Sequence, residues 1–277
     1  MREGFENHQH PSIQYVEDSG STAMRRHFHN AHQMLFIVDG QVHIKIQEKD
    51  YACKENTVVL ISNCEPHHIA IAEYPYKRYI LSFPVNFISN LLADSSLFAI
   101  FIERQPNFSH AVALRPDAAS ALEALLQKMM GEYERRQPHW ARYFASLLTE
   151  LLITIYRGHP GAFPLHHPTN IVKIIREIQQ QISLQISQAI SLDALASQYF
   201  ISPSYLSRSF KKVTGYHFRG YLTMQRVSVA KELLIHTDLP VTELCGHVGY
   251  SSVNHFIRIF KQLEGVTPYR YKLSHTF

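Results

Sequence analysis

The chain has 277 residues, a formal net charge of +4 and a hydrophobic share of 45%, which is length for two domains with cores of their own. The charge is unevenly shared, with 12 Lys+Arg against 6 Asp+Glu in residues 165–277 and 15 against 17 in residues 1–164, so a polyanionic partner would meet only the C-terminal part. Cys53, Cys64 and Cys245 form neither a C-x-x-C pair nor an even framework, no signal peptide opens the sequence, and no run of about 18 apolar residues could cross a bilayer; a cytoplasmic location without a membrane partner is expected.

From about residue 12 to 84, short β-branched and aromatic runs are broken by turn signals. MLFIVDG ends on Asp39-Gly40 and the alternating QVHIKIQ follows it, a pair that reads as a hairpin. TVVLIS, HHIAIA and YKRYILSF supply further strands, and so many short strands predict a small β-barrel or sandwich. Two helical patterns come next, ASALEALLQKMMGEYERRQ (119–137) and HWARYFASLLTELLITIYRGH (139–159), split by Gln137-Pro138. Leu122, Leu125, Leu126 and Met129 share one face of the first. Tyr143, Leu147, Leu151 and Ile155 recur every four residues in the second. By periodicity alone, this hairpin covers the barrel. HPGAFPLHHP (159–168), with its three prolines, reads as an interdomain linker.

The C-terminal part repeats itself. FISPSYLSRSFKKVTGYHFRGY (200–221) is restated 50 positions later within GYSSVNHFIRIFKQLEGVTPYRY (249–271). Ser202 falls on Ser252, Leu206 on Phe256, Arg208 on Arg258 and Phe210 on Phe260; Lys211 falls on Lys261, Gly215 on Gly265 and Tyr221 on Tyr271. Leu206, Phe210 and Val213 make an i, i+4, i+7 stripe, as do Phe256, Phe260 and Leu263. Ser202 and Ser252 stand as N-caps, Pro203 at the first helical position, and Gly215 and Gly265 as stops. A shorter apolar helix precedes each, carrying Leu192, Leu195 and Ala196 in one copy and Val241, Leu244 and Cys245 in the other. With about four residues between partners, each pair is a helix-turn-helix, one at about 190–215 and one at about 240–265.

The faces left for solvent point to chemistry. Ser204, Ser207, Arg208 and Lys211 remain on the first presented helix, and Asn254, His255, Arg258 and Lys261 on the second. Arg can grip guanine and Asn adenine through paired hydrogen bonds, while Lys attracts phosphate without regard to sequence. A single charged face is most often only solvated, but two faces with Arg and Lys in register are harder to explain that way. Between the copies, Tyr221, Leu222, Met224, Val227, Ala230, Leu233 and Leu234 trace a helix (218–237). About 18 residues give roughly 27 Å of spacer, near the roughly 34 Å that separates successive major grooves on one face of a duplex.

LDALASQYFISPSYLSRSFKKVTG, the linker helix and VTELCGHVGYSSVNHFIRIFKQLEGVTPYRY together resemble the DNA-binding domain of the AraC/XylS family of transcription regulators, over residues 171–273. Cys245-Gly246 replaces the usual Ile-Ala of that family, and His217-Phe218 the usual Thr-Pro. The resemblance implies an α+β multidomain protein: a cupin-like effector-sensing barrel (1–110), a helical hairpin (111–159), a linker (160–169), and an all-α domain with two helix-turn-helix modules joined by a linker helix (170–277). It implies no enzyme but a regulator of promoter DNA, usually an activator that meets RNA polymerase and answers a small-molecule effector. It also implies a homodimer, for which Leu147, Leu151 and Ile155 are the candidate contacts. Ser204, Ser207, Arg208, Asn254, His255 and Arg258 become the base-facing set.

His27, His29, His32, His43, His67 and His68 are the barrel's chemistry candidates. HFHNAH with a later His is similar to a cupin metal pattern, and imidazole suits zinc, iron or nickel. However, Gln33 stands where that pattern has a Glu, and its glycine–proline signature is missing. The expectation is a pocket with no catalytic residue, no metal and no cofactor, in which Arg25 (or Arg26), His29, His67 and Tyr79 hydrogen-bond a small polar effector such as a sugar. Two alternatives stand beside it: an N-terminal domain that meets a protein partner, and a metal-dependent cupin enzyme fused to a DNA-binding tail.

Overall fold

The computed structural model describes residues 11–20, 26–91, 97, 99–102, 108–159, 163 and 169–275. They fall in two compact units, one in His8–Pro168 and one in Thr169–Phe277. Most of the expected linker lies outside the described residues.

The first unit is a six-stranded antiparallel sheet. Its strands are β1 (Ser12–Asp18), β2 (Ala31–Ile46), β3 (Lys49–Cys53), β4 (Thr57–Ile61), β5 (His67–Pro84) and β6 (Ala111–Ala113). They run in the order β1-β5-β2-β4-β6, with β3 beside the second half of β2. Short helices α1 (Val85–Leu91) and α2 (Ala99–Ile102) follow β5, and α3 (Pro116–Arg135) packs on α4 (Trp140–Gly158). The strand β6 pairs with β4, so the sheet takes its last strand from the start of the segment read as hairpin; three residues are too few to show a period.

Burial along β2 tells which half is covered on both sides. Met34, Leu35, Phe36 and Ile37 are all buried, as expected of a strand with no wet face. Beyond Gly40, Val42, Ile44 and Ile46 are buried while Gln41, His43 and Lys45 are exposed, so that half has one face in water. Leu35, Ile37, Val42, Ile44, Ile46, Cys53, Val59, Ile61, Ile69 and Tyr76 form one apolar cluster.

Asp39-Gly40 is not a hairpin turn. The strand β2 runs straight through it, and its pairing with β5 shifts register between Ile37 and Val42. Gly40 has φ +87°, and a Cβ there would stand 2.6 Å from the Pro75 carbonyl oxygen and 2.8 Å from that of Glu73. Positive φ and close backbone approach are what a bulge asks of glycine. The chain reverses later, at Gln47, whose φ is 54°. Gly40→Ala is therefore expected to destabilise this unit by about 1–3 kcal/mol, read as a lower denaturant midpoint. An unchanged midpoint would count against the bulge.

The second unit is all helix: α5 (Asn170–Leu184), α6 (Leu192–Gln198), α7 (Pro203–Thr214), α8 (Phe218–His236), α9 (Val241–His247), α10 (Val253–Glu264) and α11 (Pro268–His275). Leu206, Phe210 and Val213 are buried, as are Phe256 and Phe260. Leu263 departs from its expected stripe and is 37% exposed, because spacing marks a face without saying where its cover ends. Phe218, standing where the second copy has Pro268, packs its ring 5.6 Å from that of Phe210.

The linker helix α8 is buried almost all round, its polar Gln225, Ser228 and Lys231 included. It is tied to both modules and the helices that flank them. Gln179 donates to the Tyr221 hydroxyl at 3.2 Å, and Arg226 donates to the Gln188 carbonyl at 2.9 Å while lying 5.4 Å from the Tyr250 ring. Lys231 pairs with Glu264 at 3.1 Å and lies 5.7 Å from the Tyr271 ring. At 19 residues, α8 is a post about 28 Å long. Among the described residues, no helix is long and apolar enough to cross a membrane.

Candidate functional site

Both presented helices are built alike. The Ser202 hydroxyl accepts from the Tyr205 N–H at 3.2 Å, and the Ser252 hydroxyl from the His255 N–H at 3.3 Å. Gly215 and Gly265 close the helices in the left-handed region, at φ 82° and 75°. With the phenylalanines turned inward, the 3.6-residue period leaves Ser204, Arg208 and Lys211 exposed on α7, with Ser207 half-buried. On α10 it leaves Asn254, His255, Arg258 and Lys261 exposed.

Arg258 lies 3.1 Å from Nδ1 of His255. A guanidinium can only donate, so that ring nitrogen accepts and the arginine is braced along its own helix. The first module has Tyr205 at the His255 position, 44% exposed; the repeat itself could have flagged it. Among the described residues, the ion pairs of this unit are Lys231–Glu264, His236–Glu232 and Lys272–Asp238, and none of them uses Arg208, Lys211, Arg258 or Lys261. Each presented helix thus holds an Arg and a Lys exposed to solvent.

The turns between helices carry one more asymmetry. Ile201 N–H bonds the Ala196 carbonyl, and Tyr250 N–H bonds that of Cys245, each at 3.0 Å. The residue just before the donor takes positive φ in both: Gly249 at 81° and Phe200 at 54°. Phe200 is 96% exposed, so its ring gains little packing to offset the left-handed backbone. Phe200→Gly is expected to stabilise this unit by about 1 kcal/mol; a loss in an equilibrium melt would show that the ring is held.

In the sheet unit, the structure gathers some of the expected ligand contacts and separates others. His27 and His67 bridge through paired backbone hydrogen bonds, and the rings of His27, His29 and His67 cluster together. His32 is buried, with its Nδ1 accepting from the Asn63 N–H at 3.3 Å, and His43 is exposed. Tyr79 is elsewhere. It pairs with Phe36 near the other end of β5, where the bulge has reversed which side chains face the apolar cluster. Burial raises the Tyr79 phenol pKa, and a hydrogen bond with Gln127 of α3 lowers it in part. Arg25 lies outside the described residues.

Leu147, Leu151 and Ile155 are buried within their own chain. They are core of the hairpin, not a surface open to a second copy; a spacing of four finds the apolar face but not what covers it.

Sequence reading passed over Tyr76 and Arg78. Arg78 is 3% exposed, pairs with Asp18 at 2.5 Å, and sits 4.3 Å over the Tyr76 ring. Burial pushes the Tyr76 phenol far above its usual pKa, so it stays a neutral donor. The Arg78 Nε and the Tyr76 hydroxyl have no hydrogen-bond partner among the described residues, an uncommon state for buried groups. An arginine in the apolar YKRYILSF run was the available signal.

These features define a two-unit protein, an antiparallel sheet with a helical hairpin joined to a duplicated helix-turn-helix on a shared buried helix. The AraC-like ligand binding domain model matches residues 10–152, and a helix-turn-helix domain model matches residues 195–274. The chain belongs to the AraC family. It is 25% identical to the arabinose operon regulatory protein of Escherichia coli over 241 residues, covering 85% of this chain and 78% of that protein. Against the regulatory protein PocR of Salmonella typhimurium it is 32% identical over 109 residues, 39% of this chain and 35% of PocR, so it spans about a third of that relative's length. ToxT of Vibrio cholerae shares the fold, with a TM-score of 0.66 at 12% identity over 97% of this chain and all of ToxT.

Proposed function

We propose that the chain is a transcription regulator that binds promoter DNA through both helix-turn-helix modules and a small-molecule effector through its sheet unit. One observation carries the DNA reading: α7 and α10 present the same outward Arg and Lys, capped and packed alike, from one rigid post. Arg208 and Arg258 would read base edges with Ser204, Ser207, Asn254 and His255, while Lys211 and Lys261 hold phosphate. The test is the salt dependence of duplex binding by the full chain, followed by fluorescence anisotropy. Lys211→Ala is expected to weaken all sequences alike and to reduce the slope of log affinity against log salt by about 1. A slope equal to the parent's would refute the phosphate contact.

For the effector, Arg78 and Tyr76 supply buried donors beside an apolar cluster, which suits a molecule with one acceptor group and an apolar body. That feature favours a second reading over the sugar expected from sequence. Among relatives, the arabinose operon regulator points one way, while a ToxT structure is described as bound to unsaturated fatty acid. A thermal-shift comparison of sugars with fatty acids separates the two, with Arg78→Met expected to abolish whichever shift occurs. No shift from either class would favour a protein partner. Pairing of two copies and contact with RNA polymerase complete the proposal, and the pairing surface would have to use residues other than Leu147, Leu151 and Ile155.

A further inference from the structure

Three histidines of the sheet unit carry a reading that neither the DNA modules nor the Arg78 donors require. His27 donates its N–H to the His67 carbonyl at 3.0 Å and accepts in return at 2.9 Å; the His29 carbonyl accepts from the Cys64 N–H at 2.8 Å. Backbone pairing thus fixes all three positions. The ring centroids lie 4.7 Å apart for His27–His29, 4.3 Å for His27–His67 and 5.3 Å for His29–His67. One ring nitrogen from each lies within 4.8 Å of the other two.

We propose that His27, His29 and His67 bind one divalent first-row transition-metal ion of the zinc class. A tetrahedral zinc ion with bonds of about 2.0–2.1 Å holds its ligand nitrogens about 3.4 Å apart, so small side-chain rotations close the remaining distance. Three neutral imidazoles select zinc, cobalt, nickel or copper over magnesium or calcium, which prefer oxygen. Three protein ligands also leave a fourth position open to water or to a donor atom of a ligand.

The tautomer of His67 supports the assignment. Its Nδ1 lies 3.0 Å from the Glu65 carbonyl oxygen. A carbonyl oxygen only accepts, so Nδ1 carries the hydrogen and, in the neutral ring that a metal ligand must be, Nε2 carries the lone pair. Anchoring a ligand imidazole through its other N–H to a carbonyl is how metal sites orient their histidines. Glu65 is itself fixed, for its carboxylate accepts from the Ser62 N–H at 2.7 Å and lies 3.1 Å from His110 Nε2. The sequence argument against a metal cited Gln33 in place of a Glu ligand, beside a missing glycine–proline signature. Gln33 is engaged elsewhere, donating to the Ser82 hydroxyl at 3.2 Å, and a three-histidine site does not need it.

The test uses the full chain, stripped with a chelator and desalted, then titrated with Co2+ and with Zn2+. The expected result is one ion per chain, with Co2+ giving the strong visible absorption of tetrahedral coordination and Zn2+ displacing it. His27→Ala and His29→Ala, both at half-buried positions, should each weaken Zn2+ binding at least about tenfold, the low end of what losing even an outer-shell partner costs. Each should also remove the cobalt spectrum, while the exposed His43→Ala keeps both. Circular dichroism checks the fold, and His29→Gln replaces any alanine variant that melts early. Binding well below one ion per chain would overturn the proposal. So would one ion whose affinity and spectrum survive both substitutions, since the metal would then sit on other histidines.

Discussion

Truncating Lys231 to alanine is expected to cost the helical unit about 3–5 kcal/mol, because it strands a buried carboxylate. The Lys231 and Glu264 side chains are only 9% and 8% exposed, with nitrogen and oxygen 3.1 Å apart. Removing the ammonium leaves Glu264 to be hydrated, protonated or unfolded, and each route weakens the seam between α8 and the end of α10. The pair itself need not be worth that much. Replacing both partners with apolar residues of similar volume, Lys231→Met with Glu264→Leu, should fall near the parent or above it. The check is a urea melt followed by the helical circular dichroism signal. A loss below about 1 kcal/mol for Lys231→Ala would mean that the pair behaves as a solvated surface pair.

Loss of both presented arginines is the second large effect. Arg208→Ala and Arg258→Ala should each cost about 1–3 kcal/mol at one half of the bound site and relax base preference there. Because they stand on separate modules with no shared partner, the two costs should nearly add. The double variant would then bind its selected duplex little better than random DNA, while Lys211 and Lys261 keep the salt-dependent part. Competition binding against random duplex at fixed salt reads this directly. If both single variants kept the parent's preference, the outward faces of α7 and α10 would not be the reading surfaces.

The helical unit was the more legible half. Helix faces follow from a local period, so the repeat alone placed Phe210 and Phe260 inward and Arg208 and Arg258 outward. The caps at Ser202 and Ser252 likewise depend on atoms only three residues away. Where the cover of a face comes from a distance, spacing was silent: it gave Leu263 the same weight as Val213, and it did not prevent the family resemblance from assigning Leu147, which its own chain buries, to a second copy.

The sheet was legible in composition more than in path. Asp39-Gly40 announces a positive φ, but the chain decides between turning and bulging by what lies opposite, here Glu73 and Pro75. Reading that glycine as a turn split one long strand into two. It also hid the reversal that puts Ile69 and Tyr79, which plain alternation would place together, on opposite faces of β5. The partner that makes a buried Arg78 tolerable, Asp18, is 60 positions away, and no local pattern reports it. His29 and His67 were picked out by residue type, whereas their meeting with His27 depends on a backbone bridge between segments 40 residues apart in sequence.

The most direct test of the DNA reading is selection of genomic fragments by the purified full chain at fixed salt. The account predicts an enriched motif of two blocks about one helical turn apart, with one block lost in Arg208→Ala and the other in Arg258→Ala. Salt-sensitive binding with no enriched motif would contradict it, leaving a basic helical unit that holds DNA without reading it.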